Sequence, residues 1–476
     1  MDYEVTELSY HAREIANVAR CLGLDFYPVH FEVCPAEAIY SFGAYGMPVR
    51  FTHWSFGKAF YRMKMQYDLN LTRIYELVIN SNPSYAFLLE GNRLIQNKLV
   101  IGHVYAHVDF FKNNRYFRRT PQDMVLRMEA HAQRIRDYEL EHGRDKVEKN
   151  LDAVLSIQEH VDFRAHLGKK KGPTCNSNKK DGAEKKISVH RTEYTDLWDQ
   201  KPDNEIEEKL PDEDLMLYLM TYSSSLEDWQ RDILSMIREE SLYFYPQIET
   251  KIINEGWATF WHSRIMRELN LTAAEAVDFA VMHSQVVQPS RLQLNPYYLG
   301  VKIWDHLAGR YDWETLFEIR EMENDISFVR NYLNQELVED LNLFNYRKVG
   351  AHWQVTDTAW EKVRDNLVKQ LIHGGHPRIL VMDGDYEGKG GLYLVHGHEG
   401  VDLDLVYLEK TLQLIQTLWG KGVYLETVVD GKKILFECTS NTISRKGMAR
   451  VQDGQGMKGY EQRRPGCVAL RTTRTP

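Results

Sequence analysis

Helical periodicity dominates the first three quarters of the chain. Between residues 6 and 22, apolar side chains fall three, four or seven positions apart, which places them on one face of a helix. The same spacing returns at 227–246 and at 272–286. The pattern therefore predicts a mainly α protein, with a large helical body over residues 1–345.

Two stretches of this body carry other signals. Pro and Gly residues recur between Asp25 and Val49, and they predict turns and short extended pieces there. Further on, Thr120 and Pro121 fit an N-cap and a first helical residue. They predict one long charged helix over residues 123–162.

Short apolar runs replace the helical spacing in the C-terminal quarter. Runs at 378–382 and 391–396 predict two strands, a helical segment follows them, and Asp430-Gly431 predicts the turn of a hairpin. Residues 346–440 are therefore expected to form a small C-terminal α+β module.

Two segments lack the pattern of a packed element. Residues 168–214 contain a Lys-rich run followed by an acidic run, and they are expected to form a flexible charged insert in the helical body. Residues 441–476 are rich in Gly, Arg and Thr, and they are expected to be a disordered tail.

Composition limits the classes of protein to which this chain is expected to belong. The 476 residues carry a formal net charge of -9, which argues against a dedicated nucleic-acid binder. The five cysteines are odd in number, far apart and free of CxxC pairs, as is typical of reduced thiols in a cytosol. The N-terminus does not have the pattern of a signal peptide, and no apolar run is long enough for a membrane span. The protein is therefore predicted to be cytoplasmic, with protein partners that the sequence does not identify.

Two histidines one helical turn apart are the first candidates for chemistry. His103 and His107 lie four residues apart in IGHVYAHVDFF, so both imidazoles project from one face if the segment is helical. This is the spacing by which a helix offers two ligands to zinc. The chain has 18 His, however, and such a pair also recurs by chance.

A carboxylate and an imidazole interrupt an apolar segment further along the chain. Glu255 and His262 are seven residues apart in INEGWATFWHSRIMREL, on nearly the same helical face. Burying such groups costs free energy unless they are paired or bound to a metal. They could bind each other or an arginine, or they could join His103 and His107 as metal ligands.

Two His on one helix and a Glu on a later helix match the ligand set of a mononuclear zinc site. The two segments resemble the gluzincin metallopeptidases, some of which present their third ligand in a segment like Glu255-Gly256-Trp257-Ala258. Those enzymes carry a glutamate general base directly after the first histidine, whereas this chain has Val104 there. Three ligands would leave a position open for water, as catalysis requires. A fourth ligand from His262 would favour a closed structural site.

Three acidic residues are candidates for the missing general acid or base. Glu32 and Glu37 flank Cys34-Pro35, and either could exchange a proton with a substrate, although surface solvation is the simpler interpretation. Asp109 follows His107 by two residues, and it could orient a ligand or join the ligand set.

Several long segments resemble one protein family. The stretch from Tyr10 to Phe60 and the segments IGHVYAHVDFFKNN, INEGWATFWHSRIM and REMENDISFVRNYL are similar to the SpoVR family, named for stage V sporulation protein R. The resemblance covers about residues 10–440. It implies a role in spore cortex formation in endospore-forming bacteria. The family also occurs in bacteria that form no spores, and the resemblance implies no particular reaction.

Two functions are consistent with these patterns. The first is a metal-dependent, zinc-type hydrolase acting on amide or peptide bonds, for example in cell-wall metabolism. His103, His107 and Glu255 would be its ligands, and His262 would be a fourth ligand or an orienting group. The second is a non-enzymatic regulatory or scaffold protein of sporulation or the stress response, whose metal site is structural or absent.

Overall fold

The computed structural model describes residues 2–68, 76–163, 212–289, 294–349 and 352–447. Its helices are α1 (Asp2–Cys21), α2 (Ala36–Tyr45), α3 (Trp54–Asp68), α4 (Leu94–Asn113), α5 (Met124–His142), α6 (Arg144–Leu155), α7 (Leu215–Tyr222), α8 (Asp228–Glu249), α9 (Lys251–Glu268), α10 (Ala273–Val286), α11 (Pro296–Ala308), α12 (Trp313–Met322), α13 (Asp325–Tyr332), α14 (Gln335–Asp340), α15 (Trp360–Leu371) and α16 (Leu405–Trp419).

The strands form three sheets. Their bounds are β1 (Val29–Cys34), β2 (Glu76–Ile79), β3 (Ser84–Leu89), β4 (Asn345–Val349), β5 (His352–Asp357), β6 (Ile379–Tyr386), β7 (Gly391–His396), β8 (Val423–Val429), β9 (Lys432–Thr439) and β10 (Thr442–Gly447). The first sheet has the order β1-β3-β2, β4 and β5 form a hairpin, and the C-terminal sheet has the order β10-β9-β8-β7-β6. In the C-terminal sheet, β7 and β8 are parallel and the other neighbours are antiparallel. The mainly α fold with a C-terminal α+β module is thus confirmed.

Helices α4 and α9 lie at the centre of the helical body. Every residue of α4 from Lys98 to Phe111 is buried, and α9 buries nearly all of its residues from Ile252 to Met266. A helix that is apolar on all sides packs inside a protein, which is why these two segments show little amphipathic pattern. The N-terminus of α9 is held by Asp325, whose two carboxylate oxygens accept hydrogen bonds from the backbone N–H groups of Ile252 and Ile253 at 2.9 and 2.8 Å.

A pair of glycines lets α9 approach α11 closely. A Cβ atom at Gly256 would lie 2.4 Å from the backbone carbon of Gly300, and one at Gly300 would lie 2.2 Å from the carbonyl oxygen of Ile252. No side chain fits at these distances, so glycine is required where the two helices cross. Gly256 directly follows Glu255 and therefore fixes the depth at which that carboxylate sits.

The long helix predicted over residues 123–162 is wrong in two respects, one of which is that the helical segment ends at Leu155. The chain leaves helical geometry at Gly143, where φ is 88°, so that α5 and α6 are separate helices that pack on each other. The prediction of turns between Asp25 and Val49 is also wrong in part, because α2 lies there. Pro35 and Gly46 mark the two ends of this helix, which are positions that both residue types favour.

The C-terminal module contains the predicted strands, helix and hairpin. One expectation for the tail is wrong, since β10 pairs with β9 and adds a fifth strand within residues 441–476. Residues 448–476 and the charged insert up to residue 211 lie outside the described residues. The boundary at 345/346 stays a prediction. Helix α15 lies beyond it and places Val363 and Val368 in the core of the helical body.

In the part of the chain that the structure describes, no helix combines the length and the apolar character that crossing a bilayer requires.

Candidate metal centre

Helices α4 and α9 bring the predicted ligands together. The Nε2 atoms of His103 and His107 lie 3.6 and 3.4 Å from the same carboxylate oxygen of Glu255, Oε2. One ligand atom from each residue can be chosen so that all three lie within 4.8 Å of one another. The three residues therefore form a group that could hold a metal ion.

The group is largely shielded from water. The side chains of His103 and His107 are 4% and 8% exposed, and that of Glu255 is 17% exposed. Aromatic rings stack beside both imidazoles, Tyr297 against His103 and Phe111 against His107. Glu255 is the most accessible of the three, although its Oε2 atom is itself buried.

The second ring nitrogen of each histidine is engaged by a neighbour. Nδ1 of His107 lies 2.9 Å from the amide oxygen of Asn254, and Nδ1 of His103 lies 2.9 Å from Nδ1 of His262. Metal-bound histidines commonly donate their other N–H in this way, which fixes the ring and its tautomer. An N–H at Nδ1 leaves Nε2 of each ring with a lone pair that points toward Glu255.

Burial keeps the imidazole of His103 neutral. Burial lowers the pKa of His103 to about 4, and the nearby His107 acts in the same direction. For Glu255, burial raises the pKa of the carboxyl, and N–H groups of His103 and His107 turned toward it would lower that pKa below its usual range. Two neutral imidazoles and one carboxylate are the protonation states that a divalent metal ion requires.

The carboxylate oxygen at the centre lacks a hydrogen-bond donor. Among the described residues, Oε2 of Glu255 is buried without a hydrogen bond. With Nδ1 protonated on both histidines, this oxygen faces two nitrogen lone pairs, and that arrangement is repulsive. A cation between the three atoms would remove the repulsion and satisfy the buried oxygen.

His262 lies beside the group but its nitrogens do not face the centre. Its Nδ1 contacts His103, and its Nε2 lies 2.9 Å from Nδ1 of His283 on α10. Burial lowers the pKa of His262 well below its usual range, and His103 adds to that effect. This geometry favours the orienting role over the role of a fourth ligand.

Asp109 is fully buried and links α4 to its neighbours. Its carboxylate accepts hydrogen bonds from the backbone N–H of Asp25 at 2.8 Å and from the indole N–H of Trp257 at 2.9 Å, and it pairs with Arg320 at 3.4 Å. Burial raises the pKa of Asp109 to about 6, with Arg320 opposing the shift. These contacts hold α4 against α9, and none of them involves the ligand atoms of the centre.

The other predicted acidic residues lie on exposed surfaces. Glu32 is exposed on β1, and Glu37 on α2 forms an ion pair with Lys64 at 2.5 Å. Val104, at the position of the gluzincin general base, is fully buried. The structure therefore does not bring Glu32, Glu37 or Asp109 into contact with the three ligand atoms.

Sequence reasoning missed Asn254 and the role of His283. Asn254 is a polar residue within an otherwise apolar stretch and directly precedes Glu255, which is a local signal that could have pointed to it. His283 lies 21 positions from its partner His262, so no spacing rule relates the two.

Two family models cover most of the chain. Residues 2–376 match the model described as SpoVR like protein, and residues 377–430 match the SpoVR-like C-terminal domain. The chain belongs to the SpoVR-like protein family. The point at which the two SpoVR-like models meet lies just before β6, where the C-terminal sheet begins.

A curated relative extends this result. The SpoVR-like chain is 30% identical over 485 residues to "Uncharacterized protein YcgB" of Escherichia coli (strain K12), and the match covers 89% of this chain and 92% of that protein. No solved structure matched the chain. The resemblance predicted from the sequence is thus confirmed at the level of the family.

Proposed function

We propose that this protein is a metal-dependent hydrolase that cleaves amide or peptide bonds, with zinc as the metal. His103, His107 and Glu255 would be the protein ligands. The observation that carries the proposal is the convergence of two Nε2 atoms on a buried carboxylate oxygen that has no hydrogen-bond donor. Nitrogen and carboxylate donors in this combination suit zinc.

The number of ligands supports catalysis over a purely structural site. Structural zinc sites are usually closed by four protein ligands, and catalytic sites use three and keep a fourth position for water. Both ring nitrogens of His262 are engaged by other histidines, which leaves the group with three ligands. Zinc in such a site lowers the pKa of a bound water to about 7, so that hydroxide is available near neutral pH.

The side chains around the centre would prepare the ligands for this chemistry. Asn254 and His262 hold the protons of His107 and His103 on Nδ1, so that each Nε2 is free to coordinate. A substrate carbonyl would approach on the side of Glu255, whose side chain is the most exposed of the three. With Val104 in place of a general base, proton transfer would depend on the metal-bound water or on the substrate.

The substrate class follows from the chemistry together with the family. Amide and peptide bonds are the targets that the gluzincin-like ligand set favours. Cell-wall peptides contain such bonds, and remodelling of the wall would connect the centre to spore cortex formation in spore-forming members and to wall metabolism in others.

One observation favours a second candidate function, that of a regulatory or scaffold protein. Val104 removes the base that gluzincins use, and the three other acidic candidates do not contact the centre. A regulatory or scaffold protein with a structural metal would need no base. In that case loss of the metal would unfold the helical body rather than only abolish hydrolysis.

Metal content and hydrolysis can be measured on the same preparations. The full chain would be purified from zinc-supplemented cells, and zinc per chain determined by mass spectrometry for the wild type, His103→Ala, His107→Ala and Glu255→Gln. The expected result is about one zinc in the wild type and a loss of most of it in each variant. His398→Ala is the matched control, since its imidazole pairs with Asp402 in the C-terminal module.

Release of amines from purified peptidoglycan would then be followed with the same proteins. Hydrolysis by the wild type alone, with normal circular dichroism for all variants, supports the proposal. A wild type that binds no zinc overturns it. Zinc binding without hydrolysis, together with melting of the fold on chelation, favours the second candidate.

A further inference from the structure

Helix α10 packs against α4 beside the metal centre, and polar contacts help to hold it there. None of its 14 residues is fully buried, and Val277 and Val281 are 64% and 51% exposed. Phe279 and Met282 are only partly buried against the core. A helix with so little buried apolar surface opens at a lower free energy than the core helices α4 and α9.

Two ion pairs attach α10 to α4. Lys98, whose side chain is 9% exposed, pairs with Glu275 at 2.9 Å, and Arg93 pairs with Asp278 at 2.7 Å. The second pair is open to solvent and contributes little. The pair of Lys98 and Glu275 contains a buried ammonium group, which would lose its partner if α10 moved away.

The third attachment leads directly to a metal ligand. His283 on α10 contacts His262 on α9, and His262 contacts His103 on α4, with 2.9 Å between the nitrogen atoms at each step. The ring of Phe279 also lies edge-on to His262, with 6.3 Å between ring centroids. A continuous chain of three imidazoles therefore joins a peripheral helix to the centre.

Proton positions along this chain depend on each other. Coordination through Nε2 of His103 requires its proton on Nδ1, which then donates to Nδ1 of His262. His262, as a neutral ring, must carry its own proton on Nε2, and that proton is donated to Nδ1 of His283. When α10 is displaced, this last acceptor is lost. His262 can then place its proton on Nδ1, which opposes the arrangement that ligation needs.

From this we infer that docking of α10 and metal binding are coupled through His283 and His262. His283 acts as a positioning residue for the ligand His103, and α10 is a cover that the bound metal holds in place. The inference rests on the proposed metal centre and adds a means of regulating it. Coupling of this kind is reciprocal, so whatever lifts α10 must weaken the metal site by the same factor.

Hydrogen exchange of the α10 amides, read by mass spectrometry, tests the coupling on the full chain. Zn²⁺ alone is the ligand, and its affinity is measured in parallel by competition with a chelating dye. We expect Zn²⁺ to slow exchange in α10 about tenfold in the wild type. In His283→Ala, Zn²⁺ should no longer protect α10, and the affinity should fall about tenfold, the lower end of the range for such outer-shell partners.

Three further variants distinguish a positioning role of His283 from a general effect on the stability of α10. His283→Asn keeps an acceptor where Nδ1 lies and should restore both effects. Glu275→Gln retains the helix cap but breaks the pair with Lys98, so it should raise α10 exchange and weaken Zn²⁺ binding together. Ser284→Ala, an exposed neighbour on the same helix, should behave like the wild type.

The outcomes are distinct. Zn²⁺ that binds the wild type without slowing α10, or His283→Ala that binds Zn²⁺ with wild-type affinity, overturns the coupling and leaves the proposed function standing. A wild type that binds no Zn²⁺ overturns both. Protection lost in His283→Ala and regained in His283→Asn supports the coupling, because a merely structural role would not return with the acceptor.

Discussion

Two groups of histidines in this protein differ in one decisive way. The central group, His103, His107 and His262, lies between α4 and α9 with Glu255. The second group lies where the helical body meets the C-terminal sheet, and its members, His160, His376, His396 and His398, are called the seam histidines below. His103 and His107 of the central group face one carboxylate oxygen, whereas the seam histidines form no such three-residue group in the part of the chain that the structure describes.

Two of the seam histidines, His396 and His398, are engaged by other partners. Nδ1 of His396 lies 2.8 Å from the hydroxyl of Thr427, and Nε2 of His398 lies 2.9 Å from the carboxylate of Asp402. His160 and His376 line a small cavity of about 40 Å³. Among the described residues, only His103, His107 and Glu255 bring three ligand atoms within 4.8 Å of one another.

The difference between the two groups shows which features make a buried histidine a candidate metal ligand. Burial lowers the pKa of His103, His160 and His396 alike to about 4. Neutral imidazoles are therefore common to both groups. The central group alone adds a carboxylate oxygen that two imidazoles share, and this is the feature that makes it a candidate site for a metal ion.

The largest effect is expected for a substitution at Gly256, which sets the position of the Glu255 carboxylate. Gly256→Ala would drive a methyl group into the backbone of Gly300, and relieving that overlap should lower the free energy of unfolding by about 3 kcal/mol. It should also displace Glu255 and abolish zinc binding. Chemical denaturation and zinc titration would measure the two effects.

Gly102→Ala is the matched control for that experiment. Gly102 also lies next to a ligand, but a Cβ there would meet Ile265 at an ordinary 3.6 Å. Alanine is the better helix former, so stability should change by less than about 1 kcal/mol. Equal destabilisation by both substitutions would refute the importance of the α9–α11 crossing.

A smaller effect is expected from His396, one of the seam histidines, on the pH dependence of the free energy of unfolding. Burial, with His398 adding to it, lowers the pKa of His396 to about 4 in the folded protein, against about 6.5 in an unfolded chain. Between these values the unfolded state binds more protons, so the free energy of unfolding falls as the pH drops. From pH 7 to pH 5, His396 should account for about 2 kcal/mol of that loss.

Denaturant unfolding at several pH values would measure the slope. His396→Asn keeps a hydrogen-bonding group near Thr427 and removes the titrating ring, so its stability should depend less steeply on pH. An unchanged slope in this variant would mean that His396 is not held neutral by the fold.

The smallest effect concerns the outer nitrogen of His107. Asn254→Ala removes the amide oxygen 2.9 Å from Nδ1 and should weaken zinc binding about tenfold, or about 1.4 kcal/mol. Asn254→Asp retains an acceptor and should bind zinc more tightly than the alanine variant. If both variants bind zinc like the wild type, zinc binding does not depend on the contact between Asn254 and Nδ1 of His107. The difference between the central group and the seam histidines would then be smaller.

Local sequence patterns were enough to predict the candidate ligands of the centre, on the condition that their segments are helical. Spacing of four residues would place His103 and His107 on one face of a helix, and the apolar surroundings of Glu255 indicated a buried carboxylate. The C-terminal strands and the Asp430-Gly431 hairpin also followed from short patterns. In each case the signal lies within one element and depends on its own periodicity.

Features that depend on distant parts of the chain were not predictable. The contact of His283 with His262, and the crossing of Gly256 with Gly300, depend on how helices pack. Gly143 and Pro35 sit at positions where a local pattern fits either a turn or a helix end, and tertiary packing decides between them. Glu32 and Glu37 looked suitable by residue type, and the structure agrees with the simpler interpretation that they are solvated at the surface.

Anomalous scattering at the zinc edge, from crystals of the full chain grown with Zn²⁺, tests the central claim most directly. The account predicts one strong peak about 2.0–2.2 Å from Nε2 of His103, Nε2 of His107 and a carboxylate oxygen of Glu255. A peak among the seam histidines with none at Glu255, or no zinc bound to the chain at all, would contradict it.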